Sequence, residues 1–147
     1  MTPLIVAKPT DAPLCTRLFF DVFSNPPWEY PWITIENVRR YMDDMLSLPG
    51  ALSFLYYENE TLTGLCIGGV NDYFLEPQYE IKEFAISQTR QRKGAGTRML
   101  AEVENYLAKS GINTIFLHTS RSIPAYDFYK KNGYTTIEDN VYFVKQL

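Results

Sequence analysis

Two kinds of apolar spacing alternate along the chain, and they predict the order of its elements. Apolar residues three or four positions apart predict amphipathic helices over 13–22, 34–48, 97–110 and 122–131. Apolar runs bounded by turn residues predict strands over 4–7, 53–58, 62–70, 79–86, 114–118, 134–137 and 141–144. The helix between 79–86 and 114–118 is a crossover, which makes those two strands parallel. The pattern therefore predicts a single α/β domain, residues 1–147, with helices packed on a mixed sheet.

Polar residues and glycines mark the ends and irregularities of these elements. We expect Thr10 or Asp11 to cap the first helix and Thr34 to cap the second. Ser122 is expected to cap the last helix, which has Pro124 in its first turn. The apolar residues of the first helix that would face the core are Leu14, Leu18, Phe19 and Val22. The glycines that predict a bulge or a close backbone approach in the strand 62–70 are Gly64, Gly68 and Gly69.

An aromatic and proline-rich stretch, residues 23–32, separates the first two helices. Its three prolines keep it out of regular structure. Its large rings have two interpretations: they cover the core as part of a rigid connector, or they form the wall of a binding cleft. We favour the cleft, because ligand pockets are mostly apolar and aromatic. The residues expected to contact a substrate there are Trp28, Tyr30 and Trp32.

Composition and charge narrow the function classes. A chain of 147 residues with a net charge of −3 fits one globular domain and argues against a general nucleic-acid binder. Cys15 and Cys66 lie far apart in apolar contexts, so we expect buried reduced thiols and neither a disulfide nor a metal site. No apolar run reaches the length of a membrane span and no secretory leader is visible. We therefore expect a cytoplasmic protein that does not bind membranes.

The stretch from 86 to 97 has the composition of an anion site. A predicted strand leads into it and a predicted helix leaves it, and the loop between them contains Arg90, Arg92, Lys93, Gly94 and Gly96. Glycines let a ligand approach the backbone, and the first N–H groups of a helix have no intrahelical partner. The loop lacks both the nucleoside-triphosphate P-loop pattern and the third glycine of a dinucleotide fingerprint. Taken alone, it is equally compatible with a pyrophosphate cradle and with an ordinary tight turn.

Two separated segments together resemble one protein family. Residues 91–96, Gln-Arg-Lys-Gly-Ala-Gly, match the Arg/Gln-x-x-Gly-x-Gly/Ala signature of the GNAT superfamily of acyl-CoA-dependent N-acetyltransferases. Residues 125–134, Ala-Tyr-Asp-Phe-Tyr-Lys-Lys-Asn-Gly-Tyr, resemble its second signature, Ala-x-x-Phe-Tyr-x-Lys-x-Gly-Phe/Tyr. The resemblance implies the GNAT fold, in which a mixed, mostly antiparallel sheet is flanked by helices and a splayed strand pair holds the cofactor.

The resemblance also implies acetyl-CoA as the acyl donor, with no metal. In the family, backbone N–H groups of the segment matching 91–97 bind the CoA pyrophosphate, and the pantetheine arm pairs with the central strand. Ser122 stands where the family often has an asparagine. The implied cofactor-binding residues are Phe84, Ala85, Ile86, Gln91, Arg92, Lys93, Gly94, Ala95, Gly96, Thr97, Ser122 and Tyr129.

Acetyl transfer to an amine requires a base for the amine and an acid for the departing thiolate. Tyr129 matches the family tyrosine that protonates the CoA sulfur. Glu80 and Glu83 on the predicted strand 79–86 are the candidate bases, and we favour Glu83, acting directly or through a water. Their spacing puts them on opposite faces of a regular strand, so only a bulge would bring both into one cleft. His118, the only histidine, is a further candidate for the base or for an acceptor contact.

The sequence therefore predicts an N-acetyltransferase that moves the acetyl group of acetyl-CoA to a primary amine by direct attack in a ternary complex. The acceptor would be a small molecule, aminoglycoside-like amines included, or a peptide. The alternative is a non-catalytic acyl-CoA-binding regulatory domain, against which the retention of Tyr129 beside strand carboxylates argues. Dimerisation is frequent in such folds, so a homodimer is an open alternative to a monomer.

Overall fold

A five-stranded sheet is the centre of the larger of two units in the chain. The computed structural model describes residues 3–31, 33–72 and 76–147, and contacts divide the chain into the units Met1–Leu117 and His118–Leu147. The strands are β1 Leu4–Val6, β2 Phe54–Glu58, β3 Thr61–Asn71, β4 Gln78–Ile86 and β5 Ile115–Leu117. They lie in the order β1-β2-β3-β4-β5, with β5 parallel to β4 and all other neighbours antiparallel. This arrangement confirms the predicted mixed, mostly antiparallel sheet.

The helices form close to where the apolar spacing predicts them. In the first unit they are α1 Ala12–Phe23, α2 Ile35–Ser47 and α3 Ala95–Lys109, with short 3₁₀ turns at Pro9–Asp11 and Gln88–Arg90. Thr34 caps α2 as predicted, because its hydroxyl accepts the backbone N–H of Asn37 at 3.1 Å. Within the described residues, no side chain caps α1. The Asp11 carboxylate instead accepts the backbone N–H of Lys8 at 2.8 Å, since a 3₁₀ turn precedes the helix.

One apolar core lies between the sheet and the pair α1 and α2. Leu18, Phe19 and Val22 are buried there as predicted, whereas Leu14 is 45% exposed and Cys15 takes the core position beside it. The helical face is therefore rotated by one residue at its N-terminal end. The other buried members of this core include Val38, Met42, Leu46, Leu55, Leu65, Ile67 and Ala85.

The opposite face of the sheet packs on α3. Cys66 lies between Leu65 and Ile67, so its side chain points away from the α1 and α2 side. The ring of Phe54 lies 5.0 Å from that of Tyr106 on α3. The apolar face of α3 is fully buried, and its members are Met99, Leu100, Val103 and Leu107.

The strand β4 contains a bulge where it runs beside β3. Ile67 lies opposite Glu83, but the next residue, Gly68, lies opposite Ile81, so Lys82 is the extra residue. A Cβ atom on Gly68 would collide with the Glu80 carbonyl. The glycine-rich strand therefore marks a close backbone approach, as predicted from its sequence.

The strand β5 accompanies only the first part of β4. Its three residues pair with Tyr79, Glu80 and Ile81. In the described part of the chain, the β4 residues beyond the bulge pair with β3 alone. The β4 residues 82–86 therefore have no pairing with β5, and the splayed strand pair that the resemblance implies stays a prediction.

The second unit contains the helix α4 Pro124–Lys131. Pro124 is its first residue, as predicted, and Gly133, with φ of 90°, follows its end. Ser122 does not cap α4: the N-cap is Ile123, and the Ser122 hydroxyl lies 2.8 Å from that of Ser120.

The prediction of two last strands, 134–137 and 141–144, which would pair as a hairpin, was wrong. Residues 134–147 are all described and form no strand, and the apolar side chains that would have filled the sheet are exposed. Phe143 and Val144, for example, are 92% and 89% exposed. An isolated two-stranded hairpin has little stability in water, so the local pattern alone does not establish it.

Candidate active site

A carboxylate on β4 and a phenol on α2 meet on the α1 and α2 side of the sheet. The Tyr41 hydroxyl donates a hydrogen bond to Glu83 Oε2 at 3.3 Å. Both side chains are partly buried, and Tyr41 also packs against the core. The contact joins a residue of α2 to the strand position next to the bulge, so it depends on the tertiary fold.

The bulge places Glu80 and Glu83 on the same face of β4. Glu83 lies opposite Ile67 and Glu80 lies opposite Gly69, two positions that share a face because they are two residues apart on β3. A regular strand would have put the two carboxylates on opposite faces. The extra residue Lys82 shifts the alternation by one position, so both carboxylates lie on one face. Both carboxylates act on Tyr41: burial, then Glu83 and then Glu80 raise the pKa of its hydroxyl.

The environment of Glu83 suits a group that takes up protons near neutral pH. Burial raises the pKa of Glu83 to about 7, and the hydrogen bond from Tyr41 opposes part of that rise because it stabilises the charged form. A carboxylate with a pKa near the working pH combines a large ionised fraction with a useful proton affinity. Glu83 therefore has the properties of a general base.

The glycine-containing loop leads from β4 into α3. Gly94 precedes the helix with φ of 79°, and Arg92 is also left-handed with φ of 63°. The helix begins at Ala95, which is buried, about two residues earlier than the sequence predicted. The Gln91 side-chain amide donates to the carbonyl of Ile86 at 2.9 Å and ties the loop to the end of β4.

The outer side of this loop is positively charged. Arg92 and Lys93 are exposed, as are Gly94 and Thr97, so the outer side of the loop faces solvent. The helix N-terminus adds the positive end of its dipole there. These features together favour an anion on the outside of the loop.

One ion pair at this loop was missed by sequence reasoning. Arg98, in the first turn of α3, contacts both carboxylate oxygens of Glu58 at 2.6 and 3.0 Å. The same guanidinium donates to the carbonyl of Lys93 at 3.0 Å. Glu58 lies at the end of β2, far from the loop in sequence, and no local signal connects the two.

The aromatic stretch between α1 and α2 folds back on the core. The ring of Trp28 lies 5.1 Å from that of Phe23, and the ring of Tyr30 stacks on Phe23 at 5.9 Å and an angle of 6°. Trp28 and Tyr30 are both partly buried, so these contacts fit the connector interpretation and leave part of each ring exposed. Trp32 lies outside the described residues.

A groove of about 490 Å³ lies between α1 and α2. Its lining includes Thr16, Arg17 and Arg40, and the buried Thr16 hydroxyl has no hydrogen-bond partner within the described residues. The lining includes neither Glu80 nor Glu83. This groove is therefore not the site defined by the two carboxylates.

The remaining candidate residues belong to the second unit. Tyr129 on α4 is 7% exposed, and its ring lies 5.1 Å from Phe128 and 5.2 Å from Tyr134. His118 is exposed, with its ring 4.8 Å from that of Tyr142. The buried tyrosine fits both a core residue and a shielded acid.

The amino-acid sequence matches a family model over most of its length. The model of the acetyltransferase (GNAT) family matches residues 18–134. The chain belongs to the GNAT family. It is therefore an acetyl-transferring enzyme by family, and the matched range contains both signature segments, 91–96 and 125–134.

Solved structures with the GNAT fold resemble the chain over nearly its whole length. An aminoglycoside acetyltransferase from an uncultured soil metagenomic sample, in complex with sisomicin, has a TM-score of 0.70 at 20% identity, covering 98% of this chain and 95% of its own. A possible acetyltransferase from Clostridium difficile 630 has a TM-score of 0.79 at 13% identity, covering 98% and 97%. The enzyme AAC(6')-Iy, in complex with the bisubstrate analog CoA-S-monomethyl-acetylneamine, has a TM-score of 0.72 at 13% identity, also covering 98% and 97%.

Because all three sequence identities are low, these structural likenesses show the fold alone. A sequence search of curated proteins finds no significant match. Among residues 3–31, 33–72 and 76–147, no helix is long and apolar enough to cross a membrane. The same residues contain no group of three or more histidine, cysteine, aspartate or glutamate side chains able to hold a metal ion.

Proposed function

We propose that this GNAT enzyme transfers the acetyl group of acetyl-CoA to a primary amine of a small molecule or peptide, by direct attack in a ternary complex. The observation that carries the proposal is the partly buried Glu83 on β4, the strand that leads into the glycine-containing loop. Its carboxylate accepts a hydrogen bond from Tyr41 on α2. In one short stretch the chain thus combines a group suited to accept a proton with a loop suited to bind an anion.

The donor would lie along the loop and the far part of β4. Backbone N–H groups of 91–97 would bind the CoA pyrophosphate, with charge added by Arg92 and Lys93. The pantetheine arm would pair with the backbone of 84–86, where β4 is not paired with β5. The left-handed conformations at Arg92 and Gly94 support this fit, because such turns point successive N–H groups at an anion. Ser122 is assigned a cofactor contact by the family signature alone.

Glu83 would remove the proton that the amine must lose. The amine nitrogen attacks the thioester carbonyl, the new N–C bond forms, and the C–S bond then breaks. The amine proton passes to Glu83, directly or through a water, while Tyr129 gives a proton to the departing thiolate. Glu80, on the same face of β4, is the second candidate for the base. The role of Tyr129 rests on its place in the second family signature.

The acceptor would lie against the aromatic stretch. Trp28, Tyr30 and Trp32 would contact it, and His118 would be a further contact. Aminoglycoside-like amines are the first class to examine, because structural neighbours were solved with sisomicin and with an acetylneamine-containing analog. Carboxylates at Glu80 and Glu83 and a net charge of −3 suit a cationic acceptor. Since the GNAT match extends across both units, we treat 1–147 as one catalytic domain.

The test is release of CoA thiol from acetyl-CoA with a panel of aminoglycosides, polyamines, amino acids and peptides. Turnover with at least one amine supports the proposal. Tight CoA binding without turnover of any amine in the panel, together with no loss of CoA release or of CoA binding in Tyr129→Phe, would instead favour the regulatory acyl-CoA-binding domain.

A further inference from the structure

A salt bridge between Arg98 and Glu58, both outside the two signature segments, contacts the backbone of the glycine-containing loop. The Arg98 guanidinium uses Nε and Nη2 to donate to the two oxygens of Glu58, at 2.6 and 3.0 Å. Its third contact, from Nη1 to the Lys93 carbonyl at 3.0 Å, reaches the loop backbone itself. A two-pronged contact of this kind fixes direction as well as distance, because the guanidinium is planar.

The acceptor of that salt bridge is itself held in place. The Tyr56 hydroxyl donates to Glu58 Oε2 at 2.8 Å, and the Glu58 side chain is only 17% exposed. Arg98 first, and Tyr56 after it, lower the pKa of Glu58 to about 2. The carboxylate is therefore charged at every working pH, and its position is set by β2.

The carbonyl that Arg98 contacts is at the centre of the loop turn. Lys93 is flanked by two left-handed residues, Arg92 with φ of 63° and Gly94 with φ of 79°. These angles set the direction of the N–H groups around Lys93. A Cβ atom on Gly94 would lie 3.0 Å from Arg98 Nη1, so the glycine also leaves room for the guanidinium.

We propose that Glu58 and Arg98 are positioning residues for the acyl donor, acting as a clamp that holds the 92–94 backbone in the shape that receives the CoA pyrophosphate. The proposal rests on the function proposed above for this loop. Arg98 acts through the Lys93 carbonyl, since Glu58 occupies two of its donor groups and Lys93 a third.

The test compares the affinities of two ligands, CoA and S-acetylpantetheine, for the wild type and two variants by titration calorimetry. Glu58→Gln removes the charged partner, and Arg98→Lys keeps the charge but loses the planar fork. We expect each variant to raise the Kd for CoA about tenfold, since bonds to charged groups are lost. The Kd for S-acetylpantetheine, which lacks the pyrophosphate, should be unchanged. Asp43→Asn, which breaks the exposed ion pair with Arg39 on α2, is the matched control and should change neither Kd.

The sign of the Glu58→Gln effect separates the clamp from simple electrostatics. If Arg98 attracted the phosphates as a cation, removing the nearby negative charge would tighten CoA binding. Tighter or unchanged CoA binding in Glu58→Gln overturns the clamp, as does equal weakening of CoA and S-acetylpantetheine binding. A wild type that binds no CoA overturns the function proposed for the loop, so the two failures are distinguishable.

Discussion

At the scale of single residues, the proton affinity of the proposed base Glu83 depends on the groups around it. Burial on the α1 and α2 side of the sheet raises its pKa, and the Tyr41 hydroxyl limits that rise. A carboxylate of this kind is ionised above about pH 7 and protonated below it. The activity of a base at this position should therefore fall as the pH drops through that value.

The first prediction concerns Glu83→Gln. We expect kcat/KM to fall by about 100-fold or more, because the amide cannot take up the amine proton. The acid limb near pH 7 in the wild-type profile should disappear as well. The measurement is kcat/KM against pH with the same acceptor for every variant, so that the ionisation of the acceptor amine affects every profile equally. Glu80→Gln is the control, and a larger loss in that variant than in Glu83→Gln would assign the base to Glu80.

The second prediction concerns Tyr41→Phe. The lost hydrogen bond favoured the charged carboxylate, so the pKa of Glu83 should rise and the acid limb should move to higher pH. Activity at neutral pH should fall, while the plateau at high pH should be nearly retained. Tyr106→Phe, on the opposite side of the sheet, should leave the profile in place. An acid limb that stays where it was, or moves to lower pH, would show that Tyr41 does not tune Glu83.

At the scale of elements, the β4 bulge decides which side chains share the site. The glycines of β3 indicated an irregularity, but they did not indicate that the extra residue would be Lys82 on the neighbouring strand. That location depends on pairing between strands, and so the shared face of Glu80 and Glu83 could not be derived from their spacing. Local signals worked where the cause is local, as at the Thr34 cap and at Pro124 in the first turn of α4.

The third prediction concerns Gly68→Ala. The new methyl group would collide with the Glu80 carbonyl and the Tyr79 ring, both of which belong to β4. We expect the free energy of unfolding to fall by about 1–3 kcal/mol, as for other overpacked sites, together with a loss of activity as β4 shifts. Gly69→Ala is the matched control, because the atom nearest to its new methyl group would be the Gly50 carbonyl oxygen, at 3.2 Å. Equal effects in urea unfolding of the two variants would contradict a special role for the bulge.

At the scale of the whole molecule, the two signature segments established more than the strand pattern did. They led to the GNAT family, whose model extends over 18–134, whereas the apolar pattern predicted only a mixed sheet with packed helices. The prediction of strands at 134–137 and 141–144 was wrong because two short strands paired only with each other have little stability in water. The Glu58–Arg98 pair was missed because its two ends meet only when β2 and α3 are in place.

The most direct test of the proposed reaction follows a labelled acetyl group from donor to product. Acetyl-CoA carrying ¹³C in the acetyl group is incubated with the enzyme and the best acceptor of the panel, and the products are examined by NMR and by mass spectrometry of the protein. Direct attack in a ternary complex predicts the label as an amide on a primary amine of the acceptor, with none on the enzyme. Label on the protein, or free labelled acetate with unmodified amine, would contradict it.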